Sequence, residues 1–378
     1  MGDATLYTVL PTHTADAGIA LGSVGIILSA NRIIRLFLNG PAGFAYDRLP
    51  RRWLFIPALF IGALSTAMYA AWEGFLPLLM GRLLWGLAWS GIWVGGATII
   101  LDASRDHNRG HWTGMYQTWF FLGGGLGASI GGFLTDWLGY VSTMWIGAAL
   151  TALGALIALF LLPETRPNSG EIPVTLGKTS LTLRDNPDLW ATVVLQAINR
   201  FVIAGVLMAT MALLVERYLT VPQFTLGIGT ITGLLMVGRT LFSTLAAPLG
   251  GTLSDKLGNR WLVSLVFSLI GAVSMGLISW STPIALISGI LLAAVASGSL
   301  QTLVTALTGD LVNFQQRGRA IGLLHTSGDL GSALGPLAAY ALLPWINLAG
   351  IYWICCGLYL LSALLTLFQM GSFKGKGT

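Results

Sequence analysis

The sequence carries very little charge for its length. Only 9% of its 378 residues are charged, whereas 54% are hydrophobic. A water-soluble protein of this size needs far more charge on its surface, so the composition excludes an ordinary soluble domain. Apolar runs such as 53–71 and 141–162 reach the roughly 20 residues that cross a bilayer. The chain is therefore predicted to be a multi-pass membrane protein with the lipid bilayer as a partner.

The sequence also lacks the usual sets of catalytic and metal-binding residues. Its two cysteines, Cys355 and Cys356, are adjacent in an apolar segment, and neighbouring helical side chains point apart, which excludes a disulfide between them. His107 and His111 are four residues apart but lack the glutamate and third ligand of a zinc protease. There is no G-x-S-x-G motif and no phosphate-binding loop. We expect neither an enzyme nor a metal site, and no cofactor beyond an ion gradient.

Basic residues are distributed unevenly among the loops. Most of the 20 Lys and Arg residues lie in one set of loops and tails, and Arg217 lies in the opposite set. The positive-inside rule places the first set in the cytoplasm, together with the linker and the C-terminus. The net charge of +5 is then a topology signal and not a nucleic-acid footprint. The predicted helices are a partial one over 2–10 and eleven complete spans at 18–46, 53–72, 75–101, 111–138, 141–162, 189–217, 224–253, 261–280, 283–309, 319–343 and 347–370.

The sequence repeats itself at an offset of 208 residues. The offset relates the following pairs: Gly43 and Gly251, Asp47 and Asp255, Asp102 and Asp310, Arg109 and Arg317, and Gly127 and Gly335. Such parallel repeats are typical of transporters with two similar halves. We expect a helix bundle over 1–163, a linker over 164–188 and a second bundle over 189–378. Subtracting the offset from the helix before Tyr218 places its mate partly before Met1. We therefore expect the first helix to be incomplete and the natural protein to extend upstream by about 15–25 residues.

Two loops carry a resemblance to a known family. The segments Gly43–Arg52 and Gly251–Arg260 resemble the G-x-x-x-D-[RK]-x-G-[RK]-[RK] loops of the major facilitator superfamily. In these copies Pro50 replaces a glycine and Asn259 replaces a basic residue. The resemblance implies an all-α fold of two six-helix bundles, and loops that lock the cytoplasmic side. The implied gating residues are Gly43, Asp47, Arg48, Arg52, Arg109, Gly251, Asp255, Lys256, Arg260 and Arg317.

Weaker resemblances point to the exporters within that superfamily. Gly81-Arg82-Leu-Leu-Trp-Gly86 resembles the arginine motif of helix 4, and Asp3-Ala-Thr5 resembles the Asp-x-Thr motif of helix 1. Small residues at regular spacing resemble the exporter motif of helix 5, although Ala128 stands where that motif has proline. We expect these residues and their repeat copies to be helix-packing surfaces, because small side chains let backbones approach closely. They are Gly123, Gly127, Gly131, Gly331, Gly335 and Pro336.

Charges at membrane depth are costly and need a partner or a wet cavity. The proton-coupling candidates are Asp3, Asp329, Arg82 and His325. The candidates for a substrate cavity are Arg32, Arg35, Arg200, Arg239, Gln117, Gln196 and Asn199, beside the tryptophans Trp85, Trp89, Trp93 and Trp119. Family geometry would place Asp329 near Arg32 or Arg35. That pair is either a static salt bridge or one that a proton or substrate opens.

Together these patterns predict a monomeric secondary transporter in the cytoplasmic membrane, working by alternating access. The preferred version is proton-coupled export of small organic molecules. The rival is an organic-anion permease, because deep arginines outnumber deep acids. A non-transporting membrane sensor and an inactive fragment remain open at this point.

Overall fold

The computed structural model describes residues 2–104, 109–166, 187–219, 226–280, 282–312 and 317–375. Most of the expected linker lies outside these residues. Within the described part every regular element is a helix. The all-α fold predicted from the hydrophobic runs is confirmed.

The first half of the chain forms six helices. They are α1 (Gly2–Val9), α2 (Val24–Arg48), α3 (Arg51–Ala71), α4 (Phe75–Ala103), α5 (Arg109–Leu138) and α6 (Tyr140–Leu161). Their breaks fall at turn-forming residues. Gly74 and Gly139 have φ of 107° and 82° and precede α4 and α6, a conformation that glycine adopts at little cost.

The second half forms six further helices. The first, α7, runs as Pro187–Asn199, continues as a π-helical stretch over Arg200–Leu207, and ends as Met208–Tyr218. Such π-helical stretches are rare and occur frequently at functional sites. The others are α8 (Ile228–Leu257), α9 (Arg260–Ser279), α10 (Pro283–Leu311), α11 (Arg317–Leu342) and α12 (Leu348–Gly375).

Nine helices in the described residues are long and apolar enough to cross a membrane. The expected number of complete spans, eleven, is two too many by this measure. The two that fall short are α5 and α11, whose glycines and polar side chains lower their hydropathy. These are the same two helices that carry the glycine series noted in the sequence.

The described chain divides into two compact units. Unit 1 comprises 1–175, 211–215 and 222–236, and unit 2 comprises the remaining residues. In unit 1, α1 packs on α5 and α6, α2 packs on α4, and α3 contacts both α4 and α6. The crossing of α2 and α4 is close at Gly86, where an added Cβ would lie 2.7 Å from the carbonyl oxygen of Asn31.

In unit 2, α9 packs on α10 and α12, and α11 packs on α7. The crossing of α7 and α11 is very close, because a Cβ added at Gly205 would lie 2.7 Å from the Cα of Gly335. Without a hydrophobic driving force between membrane helices, such backbone proximity supplies the packing contacts. The π-helical stretch of α7 lies at this crossing.

Candidate functional site

An ion pair inside unit 1 joins the first and fourth helices. The guanidinium of Arg82 donates from Nη1 to Asp3 Oδ1, and its Nε donates to the carbonyl oxygen of Ile27 at 3.3 Å. The Arg82 side chain is 0% exposed, whereas that of Asp3 is 31% exposed. The arginine is therefore fixed in the interior, while the carboxylate is partly exposed.

Helix α2 also contacts this ion pair and the residues around it. Asn31 Nδ2 lies 3.5 Å from Asp3 Oδ1. The Tyr7 hydroxyl donates to the carbonyl oxygen of Leu28 at 2.8 Å. Its ring faces two guanidinium groups, with Arg82 Cζ at 5.2 Å and Arg32 Cζ at 5.0 Å from the ring centroid. Two predicted groups of residues, the coupling pair and the cavity arginine Arg32, thus meet at one tyrosine that the sequence reasoning did not single out.

On the α3 side, buried hydroxyl groups close the cluster. Tyr69 faces Arg82, and its hydroxyl is hydrogen-bonded to Ser65 at 3.0 Å. Ser65 also donates to the carbonyl oxygen of Gly81 at 2.7 Å. Because Gly81 has no side chain, the ring of Tyr69 can lie directly against α4. Arg82 is held by groups from three other helices.

An aromatic ladder follows Arg82 along α4. The ring centroids of Trp85 and Trp89 are 5.9 Å apart, and those of Trp89 and Trp93 are 6.2 Å apart. Phe120 of α5 lies 5.7 Å from Trp89 and 5.0 Å from Trp93. Spacing of four residues on a helix aligns side chains on one face. Trp119, expected in the same wall, is strongly exposed and has no described contact with the ladder.

In unit 2 a polar cluster joins α7 and α11. A Cβ added at Gly328 would lie 3.2 Å from both the Arg200 side chain and Gln196 Nε2. His325 interacts electrostatically with Asp329 and Arg200. Four of the predicted residues are thus neighbours at the start of the π-helical stretch. The expected pairing of Asp329 with Arg32 or Arg35 joins residues of different units and stays a prediction.

The structure also gives contacts for two other predicted cavity residues of unit 2. Asn199 is buried: its Nδ2 donates to the carbonyl oxygen of Ser297 at 3.4 Å, and its Oδ1 accepts from the Tyr359 hydroxyl at 2.8 Å. Arg239 Nη2 lies 3.7 Å from the sulfur of Met208.

The predicted cytoplasmic ends of both units carry an arginine–aspartate bridge. In unit 1, Arg51 Nε lies 2.8 Å from Asp102 Oδ2. In unit 2, Arg260 Nε lies 2.7 Å from Asp310 Oδ2, and Nη2 lies 3.3 Å from Asp255. The expected gating arginine Arg52 is not the one that binds Asp102. The 208-residue repeat of Asp102 and Asp310 was a signal for these bridges that the sequence reasoning did not use.

Glu164 was also missed, although it organises the α2–α3 loop. Its carboxylate accepts hydrogen bonds from the backbone N–H groups of Arg51 (2.9 Å), Arg52 (3.1 Å), Thr165 (3.1 Å) and Arg166 (3.0 Å). Desolvation is the largest single influence and raises the pKa of Glu164, but the four hydrogen-bond donors together outweigh it and hold the pKa below its ordinary value. A carboxylate at a helix N-terminus interacts favourably with the helix dipole and so stabilises the helix.

The other predicted loop residues near Glu164 also act on the backbone or on rings. Arg52 Nη2 donates to the carbonyl oxygen of Leu159 at 2.6 Å. The Arg48 guanidinium lies 3.8 Å from the ring centroid of Phe44, and the Arg48 carbonyl oxygen accepts from Arg166. Lys256 is exposed. The side chains of Asp47, Arg109, Gln117 and Arg317 lie outside the described part, so their expected roles stay predictions.

Near the C-terminal end of α5, Asp136 binds the start of α8. Its carboxylate accepts from the backbone N–H of Gly229 at 3.0 Å and of Thr230 at 2.6 Å, and from the Thr230 hydroxyl at 2.6 Å. These N–H groups have no partner within their own helix. A negative charge there also complements the helix dipole. Asp136 thus holds the first turn of α8 on α5.

The predicted packing glycines fall into three groups. Thr5 donates to the carbonyl oxygen of Gly127 at 3.0 Å and lies against Gly131, so the α5 glycines pack on α1. Gly331 and Gly335 pack on α7, with Pro336 in the same helix. A Cβ at Gly123 would meet nothing within 4 Å. Of the two glycines predicted for the gating loops, a Cβ at Gly43 would also meet nothing within 4 Å, and one at Gly251 would lie 3.6 Å from Thr302. Within the residues described, no group of three or more His, Cys, Asp or Glu could hold a metal ion.

Comparison with known proteins gives one consistent result. The family model described as Major Facilitator Superfamily matches residues 1–232 and 219–374. The class E tetracycline resistance protein of Escherichia coli is 26% identical over 391 residues, covering 97% of this chain and 91% of that protein. A multi-drug resistance efflux pump (PmrA homolog) of Lactococcus lactis is 24% identical over 356 residues, covering 89% and 84%.

Among solved structures, the fold is similar to that of a bacterial homolog of the human lysosomal transporter Spinster, in an inward-facing and occupied conformation. The TM-score is 0.79 at 17% identity, and the superposition covers 97% of this chain and 92% of that one. Identity this low speaks to the fold alone.

Proposed function

The chain belongs to the Major Facilitator Superfamily of membrane transporters, and on that premise we propose that it exports small organic molecules in exchange for protons. It is a transporter and not an enzyme. The observation that carries the proposal is the Asp3–Arg82 ion pair, in which a partly exposed carboxylate binds a fully buried guanidinium cation.

The pair can couple a proton to a rearrangement of helices. While Asp3 is ionised, its charge stabilises Arg82 and ties α1 to α4. Protonation removes that attraction and leaves Arg82 as a buried cation without its counter-charge. Breaking a buried ion pair costs about 3–5 kcal/mol, which is enough to favour a different packing of α1. Deprotonation on the other side of the membrane restores the pair.

Two further observations support export of moderately apolar molecules. In the ladder of Trp85, Trp89 and Trp93, which begins one turn from Arg82, Trp85 is buried and Trp89 and Trp93 offer flat, partly exposed aromatic surface. Mixed aromatic and polar walls are typical of small-molecule sites. The relatives with 24–26% identity are named for drug resistance and efflux. We further propose a monomer in the cytoplasmic membrane, with the linker and C-terminus in the cytoplasm.

The test uses purified protein in liposomes loaded with a pH-sensitive dye. Ethidium, tetracycline and benzoate serve as cationic, polycyclic and anionic probes across an imposed pH gradient. We expect probe-dependent proton movement in the wild-type protein. Replacing the acid in Asp3→Asn should abolish it, whereas Asp3→Glu should retain part of it.

Asp16→Asn is the matched control, because Asp16 is an exposed acid that follows the same helix. It should transport like the wild type. Proton movement that survives in Asp3→Asn would contradict the coupling role of Asp3. Probe flux that needs no pH gradient would contradict exchange with protons.

An organic-anion permease is the second candidate. Unit 1 holds Arg32, Arg35 and Arg82 against Asp3 at depth, and Arg32 is buried beside the ion pair. Such a cationic surplus suits a carboxylate or phosphate ligand. Competition separates the two proposals: inhibition by benzoate but by neither of the other probes would favour the permease.

A further inference from the structure

We propose that Asn31 is the positioning residue for the protonated form of Asp3, whose neutral carboxyl group its amide binds by two hydrogen bonds, one donated and one accepted. The inference rests on the proposed proton coupling. Its starting point is that Asn31 Nδ2 lies 3.5 Å from Asp3 Oδ1, at the outer limit of a hydrogen bond. Asn31 Oδ1 is buried and accepts no hydrogen bond from any residue that the structure describes.

The packing of α2 on α4 holds the amide of Asn31 beside Asp3. Asn31 is 2% exposed, and its backbone lies against Gly86, where an added Cβ would be 3.2 Å from the Asn31 Cα. Gly86 follows Arg82 by one helical turn, so the close approach of the two helices puts the amide next to the ion pair. A buried amide oxygen without a donor is costly. A donor that is present in only one protonation state of Asp3 accounts for it.

The protonation state of Asp3 decides how many hydrogen bonds this amide can make. An ionised carboxylate is an acceptor only, so it can bind the N–H groups of Asn31 but not the amide oxygen. A protonated carboxyl group has one O–H donor and one C=O acceptor, and the amide has the complementary pair. A small rotation of the carboxyl group about its Cβ–Cγ bond then closes a ring of two hydrogen bonds. With Asp3 ionised, this arrangement keeps a single long contact.

The hydrogen bonds described for Asp3 leave one of its oxygens for the proton. Arg82 Nη1 and Asn31 Nδ2 both bind Oδ1. The proton from solvent therefore binds Oδ2 of a side chain that is 31% exposed. The O–H group formed there donates to Asn31 Oδ1, and Arg82 keeps its own protons. Protonation thus changes the main partner of Asp3 from Arg82 on α4 to Asn31 on α2.

Other charged or titratable groups around Asp3 come from the helices packed near it in the described structure. They are Arg32 of α2, which faces Tyr7 of α1, Tyr69 of α3, Arg82 of α4 and, beyond Arg82, Tyr140 of α6. From α5 the described contact is between Thr5 and the Gly127 backbone, which carries no charge. Asn31 is neutral, so replacing it changes the hydrogen bonding of Asp3 without changing the charge of its surroundings.

The first test is the pH profile of probe-dependent proton movement in liposomes, with the probe that gives the largest wild-type signal. Asn31→Leu keeps a side chain of similar size that can make neither bond. We expect the midpoint of the profile to fall by about 0.5–1 pH unit, a three- to tenfold change in proton concentration, because the neutral acid loses more hydrogen bonding than the ionised one. An apolar side chain by itself would disfavour the ionised acid and raise the midpoint. A fall therefore identifies the lost pair.

The matched control is Asn199→Leu, which removes a buried amide of unit 2. Asn199 is 1% exposed and binds Tyr359 and Ser297, so its replacement should retain the wild-type midpoint. Asn31→Ser has one hydroxyl that donates or accepts; it should lower the midpoint by less, and it takes the place of Asn31→Leu if that variant does not fold. A midpoint that rises or stays unchanged in the Asn31 variants would overturn the inference, because Asn31 would then favour the ionised acid or neither form.

The second test does not depend on transport. Infrared difference spectra between pH 8 and pH 4 are recorded on detergent-solubilised protein, and the C=O stretching band of protonated Asp3 is the one that Asp3→Asn removes. Hydrogen bonding to an amide lowers the frequency of this band. We expect Asn31→Leu to move it to higher frequency and Asn199→Leu to leave it in place.

An Asp3 band at the same frequency in Asn31→Leu and the wild type would overturn the inference. If wild-type liposomes move no protons, the proposed function fails, while these spectra still decide whether Asn31 binds the neutral acid. An Asp3 band that is absent down to pH 4 would contradict both, because Asp3 would then take up no proton.

Discussion

The two halves of the chain resemble each other at their predicted cytoplasmic ends and differ in their interiors. Arg51–Asp102 and Arg260–Asp310 are similar bridges, with N–O distances of 2.8 Å and 2.7 Å; their aspartates correspond by the 208-residue repeat, whereas the arginines are shifted by one position, because Arg51 corresponds to Asn259. At depth, however, Arg82 corresponds by the 208-residue repeat to Ile290. The two halves thus share an arginine–aspartate bridge at a helix end, whereas the Asp3–Arg82 pair lies in one half.

The helices that follow the two repeated loops are also capped differently. Pro50 precedes α3 and offers no side-chain cap, and Glu164 supplies the acceptor from a distant part of the chain. Before α9, Asn259 caps its own helix by accepting from the Leu262 N–H at 3.0 Å. Both departures from the family loop, proline in one copy and asparagine in the other, thus lie at helix starts.

The largest expected effect comes from making the first half like the second. Arg82→Ile leaves Asp3 without its partner. We expect a loss of about 3 kcal/mol in the free energy of unfolding at neutral pH, because the ionised Asp3, whose side chain is only 31% exposed, loses its charged hydrogen-bond partner. Proton-coupled transport should be abolished. Thermal unfolding in detergent and the liposome assay measure the two effects.

The double variant Asp3→Leu with Arg82→Ile separates stability from chemistry. Replacing a buried pair by apolar side chains is often neutral or stabilising. We expect most of the lost stability to return while transport stays absent. An Arg82→Ile protein as stable as the wild type would contradict the view that the pair is held in the interior.

The next effect concerns the hydrogen bond between Asn199 and Tyr359 in unit 2. Asn199→Leu leaves the buried Tyr359 hydroxyl without its acceptor, which costs about 1–3 kcal/mol. The rate of transport per folded molecule should change little, because this network packs α7 against its neighbours. Tyr359→Phe in the same background should recover part of the loss. Lost proton movement at unchanged stability would instead indicate a direct role in transport.

A smaller effect should distinguish the Arg51–Asp102 bridge from the Arg260–Asp310 bridge. The side chains of Arg51 and Asp102 are 8% and 15% exposed, whereas those of Arg260 and Asp310 are 29% and 58% exposed. Solvent screens the second pair more strongly. We expect Arg51→Gln to cost about 1–2 kcal/mol and Arg260→Gln less than about 1 kcal/mol. Thermal unfolding at low and high KCl measures both, and salt should reduce the Arg260 effect more.

Much of this architecture was predictable from the sequence, because hydrophobic length and charge placement are local signals. The all-α fold and the family follow from apolar runs and from two loop motifs. The sequence singled out Asp3 and Arg82 separately, and the structure joins them in one ion pair. The span count failed at α5 and α11, where glycine, needed for close packing, lowers hydropathy.

The remaining parts depend on contacts that no local pattern contains. Glu164 reaches Arg51 across 113 residues, and Asp136 reaches Thr230 across 94. Arg51 and Arg52 are adjacent and of equal charge, so the sequence could not say which of them faces Asp102. Asn199 was singled out as a polar residue within a membrane helix, and nothing in the sequence indicates that its amide oxygen accepts a hydrogen bond from Tyr359, which is 160 residues away.

The smallest expected effect concerns the Glu164 carboxylate, which caps the start of α3 from a distant part of the chain. Its contribution to stability should depend on pH. The pKa of Glu164 in the folded protein lies below the ordinary value of 4.5, so the folded state favours the ionised form. Its contribution to stability is present above about pH 4.5 and is lost as the pH falls through the lower folded-state pKa. Glu164→Gln should lower the unfolding temperature slightly at pH 7.

The difference between Glu164→Gln and the wild type should shrink between pH 4.5 and pH 3. Asn259→Ala is the matched variant of the other half, since it removes a neutral cap and its effect should not vary over that range. A Glu164→Gln effect that stays constant down to pH 3 would mean that hydrogen bonding, and not the carboxylate charge at the start of α3, provides the stabilisation. The difference between the two caps would then be one of position along the chain and not of electrostatics.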